Sequence, residues 1–122
     1  MNIRTCLFGF AVVMTTAAAE KQPLSVQASP AVSFSPANLI IRTRIEPDAD
    51  NRAMEIVAES EEFYRSSVIA LDGDGAPRTT RVEYRSLPPG QYEVTVALIG
   101  AGGGQKARAT THVTVIGSAS AQ

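Results

Sequence analysis

Apolar and polar residues alternate along most of this chain. Over residues 38–45, Leu39, Ile41, Thr43 and Ile45 share one face, and Ile40, Arg42 and Arg44 share the other. Successive side chains of a strand point to opposite faces, so this pattern predicts a strand with one buried and one wet side. Residues 53–60 repeat it, with Met54, Ile56 and Ala58 opposite Glu55, Val57 and Glu59. A helix over 54–67 is the rival reading, since Glu, Ala and Met favour helices. The β-branched neighbours on both sides decide for strand. Residues 63–71 form a further strand, stopped by Asp72-Gly73-Asp74-Gly75. In 79–85, Thr80, Val82 and Tyr84 oppose Arg81, Glu83 and Arg85. Tyr92, Val94, Val96 and Leu98 line one face of the next strand, and Thr111, Val113 and Val115 the inner face of the last, 107–116. A short first strand, 32–35, stops at Pro36. Turns fall at 46–51 and in the glycine run 100–104. Seven short strands, no convincing helix and no internal repeat predict an all-β, antiparallel sandwich over residues 31–117.

Residues 1–19 read as an address rather than as fold. Arg4 supplies a positive start, residues 6–14 are an apolar run, and Ala17-Ala18-Ala19 are small residues ahead of Glu20. That is the pattern of a cleavable signal peptide, with cleavage between Ala19 and Glu20. The run is too short to span a bilayer, which needs about 20 apolar residues. The absence of a twin arginine favours the Sec route, and the expected location is periplasmic or secreted. Cys6 opens the apolar run instead of following it, so it leaves with the signal and is not a lipidation site. Residues 20–30, polar with two prolines, read as a flexible leader, and 118–122 as a flexible tail. No membrane span is expected after cleavage.

What remains is about 100 residues, one domain of ordinary size with room for a single modest core. It holds no cysteine, so packing alone must stabilise it and thiol chemistry is excluded. The net charge of −1 becomes slightly more negative once Arg4 is lost, and nothing in it calls for nucleic acid.

Leu87-Pro88-Pro89-Gly90-Gln91-Tyr92 is the strongest local signature. Two prolines and a glycine force a tight turn ahead of a tyrosine-led strand. Together with Tyr64, Leu71-Asp72-Gly73 and Val82-Glu83-Tyr84, it resembles the fibronectin type III and immunoglobulin-like superfamily. It is most similar to bacterial sandwiches of the Y_Y_Y type, which follow sensor propellers. The resemblance covers about a third of the chain. It departs from that pattern in having no tryptophan, no cysteine pair between sheets and no Arg-Gly-Asp triplet in the glycine loop. It implies that Leu87, Pro89, Gly90 and Tyr92 are structural, with Tyr92 buried and its hydroxyl bonded to backbone near residues 84–87. It also implies that strand 38–45 neighbours strand 79–85, and that strand 53–60 neighbours the Tyr92 strand. One sheet then shows Arg42, Arg44, Arg81 and Arg85 outward, and the other Glu55, Glu59 and Glu93.

Candidate chemistry is sparse. Asp48, Asp50, Asp72 and Asp74 could offer oxygen ligands to calcium, but neither loop has the spacing of a known calcium loop. Turn formation explains both more simply, and no metal is assigned. His112, the single histidine, lacks partners for zinc or copper. Ser66, Ser67 and Ser86 lack a histidine motif or a G-x-S-x-G elbow. Glu61 and Glu62 read as solvated charge. Alternation turns Tyr84 and Tyr92 inward and leaves Phe63 or Tyr64 as the exposed ring. The expectation is an exported, non-catalytic binding or accessory module with a protein partner and no cofactor. The alternative is a calcium-, small-ligand- or carbohydrate-binding module that uses loops at one end.

Overall fold

The computed structural model describes residues 23–117. The predicted signal peptide and the tail at 118–122 lie outside the described residues. Among these residues eight strands form two sheets. In chain order they are β1 (Leu24–Ser29), β2 (Val32–Phe34), β3 (Ala37–Ile45), β4 (Asn51–Glu59), β5 (Tyr64–Ala70), β6 (Thr79–Leu87), β7 (Gly90–Gly100) and β8 (Gln105–Ile116). The smaller sheet has the order β1-β3-β6, and the larger β2-β8-β7-β4-β5. The fold is an all-β sandwich, and among the described residues the only helical segment is a 3₁₀ turn, Gly73–Gly75.

Two expectations are corrected at the N-terminal end. Residues 24–29, read as flexible leader, form β1, which pairs antiparallel with β3 from Leu24–Ile45 to Ser29–Ile40. Its prolines, Pro23 and Pro30, flank the strand without interrupting it. Between them Leu24, Val26 and Ala28 alternate toward the core. The sandwich therefore has eight strands and starts before residue 31. The chain then crosses at Pro30 into the larger sheet, where β2 runs parallel to β8, Val32 beside Thr114 and Phe34 beside Ile116. The sandwich is thus not wholly antiparallel, because the crossing strand enters alongside β8 in the same direction.

The core lies between the sheets. Leu39, Ile41 and Leu87 from the smaller sheet meet Met54, Ile56, Val94, Val96 and Leu98 from the larger, all essentially inaccessible. Each fully buried side chain of this size contributes about 1.5–3 kcal/mol through removal of apolar surface from water. Tyr84 stands on β6 and crosses this layer. Its hydroxyl lies 3.2 Å from the Ile56 carbonyl and 2.8 Å from the Ser67 hydroxyl, tying the smaller sheet to β4 and β5.

The proline corner carries the chain between sheets, from β6 to β7. Tyr92 is fully buried, and its hydroxyl donates to the Pro88 carbonyl at 2.6 Å. The acceptor is one residue beyond the expected stretch. β6 ends at Leu87, so the Pro88 carbonyl falls outside the ladder and is free to accept. Gly90 is needed for close approach: a Cβ there would sit 3.1 Å from the Ser60 side chain.

At the opposite end, Gly73 has φ +56, and a Cβ would lie 3.0 Å from the Ala49 carbonyl oxygen. Gly73→Ala is expected to destabilise the fold by about 1–2 kcal/mol, the cost of a left-handed backbone to an L-residue. A thermal melt checks this, and an unchanged midpoint would show that the turn relaxes freely.

Candidate functional site

The outer face of the larger sheet holds the acidic residues in one lattice. The registers place Tyr64, Glu59, Glu93 and His112 in a row across β5, β4, β7 and β8. The next row is Ser66, Val57, Thr95 and Thr110, and the next Val68, Glu55, Ala97 and Arg108. Small residues in the middle row leave a shallow recess of about 230 Å³. Its floor includes Val57, Thr95 and Ala97, and its walls include Glu55, Glu59, Glu93 and Tyr64. Tyr64 is 60% exposed and Val68 70%, so the face mixes carboxylates with open apolar surface.

Glu59 and Glu93 are direct cross-strand partners. Like charges directly opposite each other are destabilising. The His112 Nε2 lies 3.9 Å from the Glu93 carboxylate, and both side chains are exposed.

The smaller sheet's outer face repeats the device with opposite sign. Arg42 sits directly opposite Arg81, and Arg44 lies opposite Thr79. Ser25 and Gln27 of β1 fill in beside Arg44 and Arg42. Part of this charge is already answered, since Glu83 reaches Arg85 at 3.5 Å. The two groups of charges therefore occupy opposite outer faces of one sandwich.

The two aspartate loops approach each other at one end, where Gly73 lies against Ala49, and Lys106 attends Asp48 and Asp50. Lys106 Nζ lies 3.3 Å from the Asp48 carboxylate and 3.6 Å from that of Asp50, and it donates to Asn51 Oδ1 at 2.8 Å. Asp48 Oδ1 accepts the Asp50 N–H at 2.8 Å, and Asp50 Oδ1 accepts the Ala101 N–H at 3.0 Å. Hydrogen bonding from the Asp50 amide, then from Lys106, holds the Asp48 carboxyl below its ordinary value of 3.8. Arg52 donates to the Ala49 carbonyl at 2.9 Å and stands 3.3 Å from the position a Gly73 Cβ would take. The guanidinium thus lies between the two aspartate loops. Among the described residues no three or more His, Cys, Asp or Glu side chains converge as a metal set would require.

Sequence reading missed Lys106, because a lone lysine after a glycine run carries no local signal. It also missed Phe34, which is 64% exposed beside Ile116 at 42%. Phe63 is half-buried, its ring 6.0 Å from Tyr92 in an edge-to-face contact, so the exposed ring of that pair is Tyr64. The Arg65 guanidinium lies 5.3 Å from the Phe63 ring centre and 5.5 Å from that of Tyr84. Ser66, Ser67 and Ser86 are scattered: Ser67 serves Tyr84, and Ser86 sits at φ 61, its N–H donating to Asn38 Oδ1. Glu61 and Glu62 line a cleft of about 580 Å³ with Ser60 and residues 89–91, beside the proline corner.

No family pattern matches this chain, and no curated protein does. Solved structures share its fold. A family 76 glycoside hydrolase from a bovine Bacteroides thetaiotaomicron strain matches at TM-score 0.56 and 13% identity, over 75% of this chain and 20% of that one. This chain thus corresponds to about a fifth of that enzyme's length. A superoxide reductase (neelaredoxin) from Ignicoccus hospitalis matches at TM-score 0.54 and 10% identity, over 77% of this chain and 80% of that one. The CARDB domain of the PF1109 protein from Pyrococcus furiosus matches at TM-score 0.48 and 10% identity, over 78% and 92%. At such identities the likeness is one of fold: this chain is an all-β sandwich similar to those found as parts of larger proteins and as small proteins in their own right.

Proposed function

We infer that this chain is an exported, non-catalytic sandwich module of the fibronectin type III/immunoglobulin-like kind, and that it binds a basic surface of a protein partner through the outer face of β5-β4-β7-β8. The carrying observation is the row Tyr64–Glu59–Glu93 above the recess floored by Val57, Thr95 and Ala97. Three carboxylates against one cation, Arg108, around a floor of small side chains, with an exposed tyrosine at the rim, combine net steering charge with an anchor. A cationic partner also relieves the opposed Glu59–Glu93 pair. The arginine face is the weaker surface, because Glu83 offsets part of it and it lacks an exposed ring. The Pro88–Tyr92 hydrogen bond supports the superfamily assignment, since a tyrosine bonded to upstream backbone at this corner recurs in such sandwiches. The match to a fifth of the glycoside hydrolase supports a module of accessory size.

The test compares two reversal variants in pull-downs from native extract. Glu59→Lys with Glu93→Lys is expected to weaken capture of the wild-type partner at least about tenfold, with Arg42→Glu and Arg44→Glu leaving it unchanged. Equal capture by wild type and the glutamate variant overturns the assignment of the face.

A further inference from the structure

β5 is a bare edge. It pairs with β4 on one side, and among the described residues no strand pairs with its other side. The backbone shows which groups it presents. Leu71 N–H donates to the Arg52 carbonyl, and the Phe63 carbonyl accepts from Ser60 N–H. In this antiparallel register the odd-numbered residues of β5 therefore aim their backbone at β4. Tyr64, Ser66, Val68 and Ala70 aim theirs outward, each presenting one donor and one acceptor.

The remaining strand edges carry the devices that normally prevent pairing. β2 has three residues between Pro30 and Pro36. β1 is covered by packing against β8. β6 carries Arg81, Glu83 and Arg85, and its register with β3 shifts. β5 has no proline, and its register with β4 runs unbroken from Ala70 to Tyr64. Its one charge, Arg65, is drawn toward the Phe63 and Tyr84 rings.

The geometry points to a second copy of this chain as the occupant: two β5 strands pair antiparallel about a two-fold axis through Ser67, joining the larger sheets into one. The edge is self-complementary in that register. Tyr64 meets Ala70 of the second copy and Ser66 meets Val68 of the second copy, so every outward N–H faces an outward carbonyl. A slip of one residue would set outward groups against inward ones and lose the ladder. No like charges meet along the seam. The two β4 strands end up three strand spacings apart, about 14 Å. That exceeds the screening length of about 8 Å at physiological salt, so Glu55 and Glu59 of the two copies repel little. A two-fold pairing closes on itself and yields a dimer, not a fibre. It uses the sheet's edge rather than its face, and it stands whether or not the acidic face binds a partner.

Sedimentation and light scattering of the purified chain at up to about 100 µM test this at the affinity expected of a small interface. The expected result is a concentration-dependent dimer in which the Ser66 and Val68 amides gain protection from hydrogen exchange. Val68→Pro removes an outward donor and no bond to β4, and is expected to weaken dimerisation at least about tenfold. Val68→Lys, a charged residue at an exposed edge position, is expected to do the same and guards against a misfolded proline variant. A wild-type monomer throughout, or a dimer indifferent to both substitutions, overturns the proposal.

Discussion

Tyr92→Ala is expected to lower the unfolding free energy by about 3–5 kcal/mol, as large aromatic truncations in packed cores do. The ring is fully buried, meets Phe63 edge to face at 6.0 Å, and fills the corner where the chain passes between sheets. A domain of this size has only about 5–15 kcal/mol to lose. Tyr92→Phe separates ring from hydroxyl. It keeps the packing and leaves the Pro88 carbonyl without its 2.6 Å donor, at a cost of about 1 kcal/mol. Urea titration of the two variants checks both, and an alanine variant within about 1 kcal/mol of wild type would sink the corner's structural role. A pH signature accompanies them. Burial pushes the Tyr92 phenol above its ordinary value of 10.0, against weaker opposing effects of Ser60 and Arg65. The folded state therefore favours the neutral phenol. The corresponding stability is fully present below pH 10.0 and is lost as pH rises through the higher folded value. The phenylalanine variant should lack that alkaline loss.

Much of the sandwich was legible because alternation is a direct consequence of having one wet and one buried face. β3, β4, β6 and β7 read cleanly for that reason, and with them the split of charge between the two outer faces. The opposed pairs Arg42–Arg81 and Glu59–Glu93 follow from the same period once neighbouring strands are known. β1 was lost because its inward residues, Leu24, Val26 and Ala28, are few, and because Pro23 and Pro30 read as breakers when they are boundaries. The parallel entry of β2 beside β8 depends on a contact between the two ends of the chain, which no local pattern encodes.

The candidate surfaces divide along the same line. Which residues face outward follows from parity, so Glu55, Glu59, Glu93 and the four arginines could be named in advance. The recess over Val57, Thr95 and Ala97 could not, because it arises from small residues brought side by side from two strands. The free edge of β5 escaped for a similar reason: a strand's sequence does not state whether it lies inside a sheet or at its border.

Lys106→Met is expected to cost about 1–3 kcal/mol, the penalty for stranding a buried acceptor. Lys106 joins the β8 strand to the β3–β4 turn, and its most demanding partner is the fully buried Asn51. The Asn51 amide also donates to the Glu46 carbonyl at 3.1 Å, which fixes its orientation and points its oxygen at Lys106. The contacts of Lys106 with Asp48 and Asp50 are exposed and contribute less, as surface ion pairs do. Added salt should therefore leave most of the loss in place. Replacing both buried partners, Asn51→Leu with Lys106→Met, should cost less than the sum of the two single changes, because neither polar group is then left alone. Asp48→Asn isolates the electrostatic part. The folded-state pKa of Asp48 is depressed, so its contribution is present above pH 3.8 and is lost as pH falls through the lower folded value. The asparagine variant should lose that acid sensitivity entirely. Lys106→Met should keep part of it, since the Asp50 amide still bonds the Asp48 carboxylate. Melting temperatures from neutral pH into the acid range decide the matter. If Lys106→Met proves as mild as Asp48→Asn and is abolished by salt, the turn is held by surface charge and not by the buried Asn51–Lys106 bond.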